Sequence, residues 1–296
     1  MADHLQRVIS TDGRFFGLAC VTTDLVAEAC RRHDTGPVAA VALGRALTAN
    51  ILLAALLKDK QQVMLKFEAN GPLRKIVTEG FCTGEVRGYV ANPHADVPLK
   101  NGIIDVAAGL GKAGFLTVTK DIGARQKYEG TVQLYTSEIG EDVAFYLTKS
   151  EQTPSAIGVG VQVDKSGTII SAGGFLAQSL PPADEVLIAS LETQIQKLGS
   201  ITRFIQQGKT PHDILEVLFD KIPHRTLLTQ PLRYQCSCSE EKMKQALFSL
   251  DKDDLINLKS EKPDGVEVRC DFCAKAYLFD KSALQSIINS MEGTVQ

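Results

Sequence analysis

Cys236-Ser237-Cys238 and Cys270-Asp271-Phe272-Cys273 place two close-spaced thiol pairs near the C-terminal end of the chain, with 31 residues between them. A hairpin-sized insertion can bring such pairs together and supply the four sulfurs a tetrahedral Zn²⁺ takes at about 2.3 Å per bond. The same spacing sets each sulfur beside one it could join in a disulfide. Cys-x-x-Cys closes a small ring readily, whereas Cys-x-Cys closes only where a turn brings the two Cα atoms within reach. A thiolate that enters a disulfide or a sulfenic acid is a much poorer zinc ligand, so oxidation and metal loss are linked. Most Cys₄ sites are structural, so spacing alone leaves an inert zinc knuckle standing beside a redox switch.

The elements that must position these sulfurs lie in residues 231–296. Ser239 is placed to cap a helix over Glu240–Leu250, and a second short helix fits Asp253–Lys259. Pro263-Asp264-Gly265 makes a turn, and Val266–Arg269 and Ala276–Phe279 are strand-like on either side of the Cys-x-x-Cys. Asp280 can cap a last helix carrying Leu284, Ile287, Ile288 and Met291. A unit this small draws roughly 3–5 kcal/mol from its core, whereas structural zinc contributes an apparent value of roughly 10–16 kcal/mol. The metal term exceeds the core term, so loss of zinc is expected to unfold the module.

Upstream, residues 1–180 read as one mixed α+β domain. Pro37–Lys58 spaces Ala40, Leu43, Leu47, Ile51, Leu52 and Ala55 for a helix buried over much of its circumference. Strands are expected at Val63–Glu68, Glu85–Val90, Phe115–Thr119, Thr131–Thr136, Val143–Leu147 and Ile157–Val163. Turns at Asn70-Gly71-Pro72 and Gly140-Glu141-Asp142 punctuate them. Short strands without regular βα alternation point to α+β, not to a doubly wound sheet. Pro181-Pro182 marks a boundary, after which 181–230 reads as an amphipathic helical connector. Val186, Leu187, Leu191, Ile195 and Leu198 recur at helical spacing, a short helix spans about Ile201–Gln207, and Thr210-Pro211-His212-Asp213 announces a third.

Composition narrows the function classes. The 296 residues carry a net charge of −3, and four thiolates with one Zn²⁺ take it to about −5. Residues 231–296 hold nine Lys/Arg against eleven Asp/Glu with no basic run, which disfavours nucleic acid as a partner. The first residues lack a basic segment followed by an apolar one, so no signal peptide is expected. The apolar stretch Ala46–Leu57 is too short to span a bilayer. Without a secretion signal, the cysteine cluster reads as metal or redox chemistry in a cytoplasmic protein.

Weaker signals take bland readings. Gly109-Leu110-Gly111-Lys112-Ala113-Gly114 matches a dinucleotide fingerprint by letter, but a strand-like run follows it where a helix is required, so a turn is expected. Cys30 and His33 share a helix face without an oxyanion hole or an orienting carboxylate. His212 and His224 are surface or packing residues, since four sulfurs already complete a zinc shell. Cys20, Cys30 and Cys82 are expected to be buried small apolar residues.

The chain as a whole resembles the thirty-three-kilodalton heat-shock protein family, redox-regulated holdase chaperones of bacteria. The resemblance rests on Tyr234-Gln235-Cys236-Ser237-Cys238, on Val268-Arg269-Cys270-Asp271-Phe272-Cys273, and on Tyr277-Leu278-Phe279. Arg31-Arg32-His33, Ala42-Leu43-Gly44-Arg45 and Leu47-Thr48-Ala49 add to it near the start. Ser150-Glu151-Gln152-Thr153-Pro154-Ser155, Gly158-Val159-Gly160 and Ala172-Gly173-Gly174-Phe175-Leu176 add to it at the end of the main domain.

The resemblance implies that reduced Cys236, Cys238, Cys270 and Cys273 hold one Zn²⁺ and keep the chaperone off. It implies that oxidants form Cys270–Cys273 and then Cys236–Cys238, release the zinc, unfold residues 231–296 and loosen 181–230. Unfolding client proteins then bind without ATP, and the active form is a homodimer. Residues 1–180 would carry client binding and dimerisation. No catalytic residue, nucleotide, nucleic acid or membrane partner is implied. The alternative is a purely structural Cys₄ module serving a specific protein or RNA partner. A disulfide oxidoreductase comes third, since it needs the Cys-x-x-Cys at a helix start beside a βαβ unit.

Overall fold

Two apolar sheets share one buried helix in the first part of the chain. The computed structural model describes residues 2–58, 60–123, 127–180, 185–262 and 264–292. The chain divides into two compact units, Met1–Gln235 and Cys236–Gln296. In chain order the first unit runs β1 His4–Ser10, β2 Phe15–Val21, α1 Thr23–His33, α2 Pro37–Ala54, β3 Gln62–Ala69, β4 Lys75–Phe81 and β5 Glu85–Val90. It continues with α3 Val106–Leu110, β6 Gly114–Asp121, β7 Lys127–Gln133, α4 Gly140–Lys149, β8 Ser155–Val163 and β9 Ile169–Ser179. Helices α5 Glu185–Leu198, α6 Ile201–Gln206 and α7 Pro211–Leu218 follow, then β10 His224–Pro231 and β11 Arg233–Tyr234. One sheet has the order β10-β1-β2-β9-β8 and the other β11-β5-β4-β3-β6-β7. Neighbours are antiparallel except β11, which runs parallel to β5.

Helix α2 begins with proline at its first position after Gly36 and is apolar all round, so it is buried at every residue but Pro37 and Arg45. It packs against strands of both sheets. Its length and composition would suffice to cross a membrane, unlike the shorter stretch read from sequence, but here it is a core helix. Two of its buried polar side chains bond within the core: Thr48 Oγ1 donates to Gly44 O at 2.8 Å, and Asn50 Nδ2 donates to Thr78 O at 3.0 Å, while Asn50 Oδ1 is left without a partner. Gly80 permits the approach, since a Cβ there would lie 1.9 Å from Asn50 Oδ1.

The five-stranded sheet is covered on a second face as well. Val8, Phe15, Ala19, Phe175 and Ala177 form one apolar cluster with Leu191, Leu198, Ile201, Ile214, Leu215, Leu218 and Phe219 from the α5–α7 segment. Phe219 lies on β2 where Gly17 leaves room, because a Cβ at Gly17 would come within 2.5 Å of the ring. Helices α5–α7 begin and end close to the sequence reading, and Thr210 and Asp213 form a capping box at α7.

Several expectations fail here. Val143–Leu147 is not a strand; it lies in α4. The supposed turn Gly140-Glu141-Asp142 is that helix's first turn, because the buried Asp142 carboxylate gathers four backbone donors ahead of it. Tyr135, Thr136 and Ser137 donate to Oδ1 and Ile139 to Oδ2, at 2.8–3.1 Å. Strand β7 lies earlier than Thr131–Thr136, paired from Lys127 to Gln133 with β6. The last part of the 181–230 segment is not helical, since His224–Pro231 is strand β10 on β1. Pro181-Pro182 and Pro263 lie outside the described residues.

Asp3 ties three elements of this unit. Its carboxylate accepts from Asp24 N at 3.2 Å and Leu25 N at 2.7 Å at the start of α1, and its carbonyl accepts from Leu232 N at 3.0 Å between β10 and β11. Burial outweighs those donors and pushes its carboxyl from 3.8 up to about 6. A folded-state pKa above the unfolded one adds stability that is complete below pH ~4 and lost as pH rises through ~6, about 3 kcal/mol in all. Chemical denaturation across pH 4–7 should therefore show a falling contribution that Asp3→Asn removes. An unchanged pH slope in the variant would refute the assignment.

The second unit holds α8 Glu240–Leu247, α9 Lys252–Glu261, a hairpin of β12 Val266–Arg269 and β13 Ala276–Phe279, and α10 Lys281–Glu292. Ser239 caps α8 by accepting from Lys242 N, and Asp280 caps α10 by accepting from Ala283 N at 2.8 Å. Among the described residues, its buried apolar core is Leu247, Leu255, Phe279, Leu284, Ile287 and Ile288.

Candidate metal centre

Cys236 follows Gln235, whose N–H closes the β11 ladder on Val86 O at 3.0 Å, and Cys238 precedes the cap residue of α8. Cys270 and Cys273 sit in the β12–β13 turn. Cys270 N donates to Lys275 O at 3.0 Å, while Cys273 N and Ala274 N donate back to Cys270 O at 3.3 and 2.8 Å. Ala274 takes a left-handed φ of 57° to complete the turn. This knuckle brings both sulfurs into one cluster with those of Cys236 and Cys238.

The four sulfurs lie within 4.8 Å of one another. Cys236 Sγ is 3.8 Å from Cys270 Sγ, and Cys238 Sγ is 3.4 Å from Cys273 Sγ. A tetrahedron with metal–sulfur bonds of about 2.3 Å has sulfur–sulfur edges of about 3.8 Å. The cage fits a tetrahedral cation of that size, and an all-sulfur donor set suits Zn²⁺ among common ions. Cys270 and Cys273 are buried and Cys236 and Cys238 half-buried.

The cage resists holding four charges by itself. Burial, then the neighbouring Cys236 sulfur, pushes the Cys270 thiol up, and burial likewise raises Cys273. At Cys238 burial also opposes ionisation, but hydrogen bonds from Tyr277 and the other thiols prevail and lower it to about 7. Tyr277 Oη donates to Cys238 Sγ at 3.1 Å. Sequence reasoning did not assign Tyr277 this contact. Its signal is positional: β13 sets Tyr277 opposite Val268, two residues before the first cysteine of the knuckle.

The other candidates stay apart from this chemistry. His212 and His224 belong to α7 and β10 of the first unit. Cys20 and Cys30 are buried, and burial pushes the Cys30 thiol up to about 11, which removes it as a nucleophile at neutral pH. Cys82 is half-buried, not buried as expected. The Gly109–Gly114 run joins α3 to β6, so a helix precedes it and a strand follows, the reverse of a dinucleotide site.

The model of the Hsp33 protein family matches residues 3–280. The chain belongs to the Hsp33 family. It is 58% identical over 292 residues to the 33 kDa chaperonin of Desulfotalea psychrophila, covering 99% of each chain. The 33 kDa chaperonin of Geobacter sulfurreducens is 47% identical, with 98% of this chain and 96% of that one covered. The crystal structure of the 33 kDa chaperonin from Thermotoga maritima aligns with a TM-score of 0.93 at 33% identity, covering 99% of this chain and 100% of that one. The mixed helix-and-sheet architecture is thus that of an Hsp33 protein, and these Hsp33 relatives are named chaperonins, not enzymes.

Proposed function

We propose that this chain is a redox-regulated, ATP-independent holdase of the cytoplasm, latent when reduced. The observation that carries the reading is a four-thiol cage with tetrahedral spacing in a unit whose buried apolar core, among the described residues, is six side chains. Cys236, Cys238, Cys270 and Cys273 would hold one Zn²⁺, which supplies the positive charge that lets all four thiols ionise together. Oxidant converts Cys270 and Cys273 to a disulfide, the two thiolates giving up two electrons; peroxide, as the acceptor, leaves as water. Cys236 and Cys238 follow. Sulfurs joined in disulfides no longer ligate, and the second unit loses its largest stabilising term.

The coupling runs along the chain. Cys236 follows the β11 ladder directly, and β10 and β11 follow α7. Loosening that propagates from the cysteines would free α5–α7 from the five-stranded sheet. Phe15, Ala19, Phe175 and Ala177 and the apolar faces of the helices then become surface for unfolding client proteins. Self-association of such a surface accounts for a homodimer in the active form.

The test pairs two readings on the reduced, zinc-loaded protein. Peroxide at elevated temperature should release about one zinc per chain and produce suppression of a thermally unfolding client's aggregation. Reductant with zinc should reverse both. Zinc kept, or lost without any gain of activity, would leave a purely structural Cys₄ module and end this reading.

A further inference from the structure

An asparagine followed by glycine carries its own reaction. The glycine backbone nitrogen, unhindered by a Cβ, can attack the asparagine side-chain carbon and close a five-membered imide. The new bond joins that nitrogen to Cγ, the side-chain amide nitrogen leaves as ammonia, and water opens the ring to aspartate or isoaspartate. Water is the only co-reactant. Asn70-Gly71 and Asn101-Gly102 are the two such pairs in the chain. Both signal turns by residue type, and the structure separates them.

Asn70-Gly71 lies between β3 and β4 and is locked from three sides. Asn70 N donates to Ala113 O at 2.9 Å, and Asn70 Oδ1 accepts from Ala113 N at 3.1 Å. The attacking atom is itself engaged, since Gly71 N donates to Leu110 O at 2.6 Å. A Cβ on Gly71 would lie 2.3 Å from the Leu110 carbonyl carbon, so the two backbones are wedged together. Reaction there requires parting this turn from the α3–β6 connection.

Asn101-Gly102 is held by far less. It is the tip of a two-residue hairpin closed by Lys100 N to Ile103 O at 2.9 Å and Ile103 N to Lys100 O at 3.0 Å. That pairing is an isolated bridge outside the named strands. The φ angles are 52° at Asn101 and 76° at Gly102, both positive as a type I′ turn requires. Such a turn sets the glycine nitrogen across the Cα–C bond from Cβ, so the attack starts from the opened turn. Opening meets little resistance. Leu99 and Ile103 are 61% and 69% exposed, and Asn101 and Gly102 are exposed between them. A segment with so little buried contact opens at small cost in free energy. Among the described residues, neither the Asn101 amide nor Gly102 N has a hydrogen-bond partner.

We propose that Asn101 is a modification site of the folded protein, deamidating through the imide to aspartate and isoaspartate while Asn70 stays intact. Either product places a negative charge beside Lys100. Isoaspartate also routes the main chain through the side-chain carbon and adds a methylene, so the two-residue turn between Lys100 and Ile103 no longer closes. Leu99 and Ile103 then lose their fixed register. Heat opens the turn and speeds ring closure, so the modified fraction grows with thermal stress. The inference does not depend on the redox reading.

The test is timed incubation of the reduced full-length protein at pH 6 and pH 8, followed by peptide mapping with mass spectrometry. The peptide holding Asn101 should convert from amide to acid, severalfold faster or more at pH 8, because the attacking nitrogen must lose its proton. Isoaspartate in that peptide should be detected by enzymatic carboxyl methylation. Conversion at Asn70 should be at least a hundredfold slower in the native protein and comparable to Asn101 in denaturant. Asn101→Gly, which suits a left-handed turn position, should remove the conversion with the fold intact. Equal native rates at the two positions would overturn the proposal. So would an unmodified Asn101 after a time in which the denatured chain has reacted fully.

Discussion

Serine at both Cys270 and Cys273 is expected to abolish tight zinc binding and unfold the second unit under reducing conditions. The two substitutions remove half of a donor set whose sulfurs lie within 4.8 Å of one another. A serine hydroxyl does not ionise at neutral pH and is a poor replacement for a thiolate. The missing metal term is roughly 10–16 kcal/mol, against roughly 3–5 kcal/mol from a core of this size. No rearrangement of Leu247, Leu255, Phe279 and the α10 residues can make up that difference. Chelator competition should show high-affinity zinc gone, and limited proteolysis should cut within 236–296 and then within 181–230. Cys82→Ser serves as the control and should leave both readings as in wild type. A double variant that still holds zinc tightly and resists protease from residue 181 onward would sink both the site and its coupling to the connector.

Phe219→Ala should activate the reduced protein without oxidant. Phe219 is 2% exposed and its ring fills the space that Gly17 leaves on β2. Truncating a buried phenylalanine costs about 3–5 kcal/mol through lost transfer energy and the cavity left behind. Here the loss falls on the interface between α7 and the sheet. The principal core, which surrounds α2, does not include Phe219. The expected result is amide exchange faster by orders of magnitude in α5–α7 with little change in β3, β4 and β6. Suppression of client aggregation should appear while zinc stays bound. Latency fully retained alongside faster exchange in α5–α7 would show that uncovering this sheet face is not what activates the chaperone.

The cysteine cage was legible because its information is local. Two short spacings, a Ser239 cap and two strand-like runs around a turn define the knuckle within a few residues of each cysteine, and the structure closes it with backbone bonds inside the same turn. Helix α2 was legible as a helix for a similar reason, since apolar residues all round its circumference require a buried or membrane setting, and the structure places it in the core. Strands β2 and β9 escaped. Both are packed on two faces, α2 on one and the α5–α7 segment on the other, so neither shows the alternation that marks a half-buried strand. Val143–Leu147 misled in the opposite direction: its apolar run suits a strand until Asp142 is seen gathering the donors that start a helix.

From the sequence alone came the four clustered cysteines, the small hairpin unit that carries them, the α+β class and the family resemblance. Each depends on residue type and short-range spacing, where covalent geometry leaves few alternatives. Only the tertiary structure decided that His224–Pro231 is a strand on β1, that α5–α7 cover a second apolar face of the sheet, and that Tyr277 donates to Cys238. Those depend on which distant surfaces meet. A largely exposed strand such as β10 is held by ladder bonds to a partner some 220 residues away, and nothing in its own side chains announces that pairing.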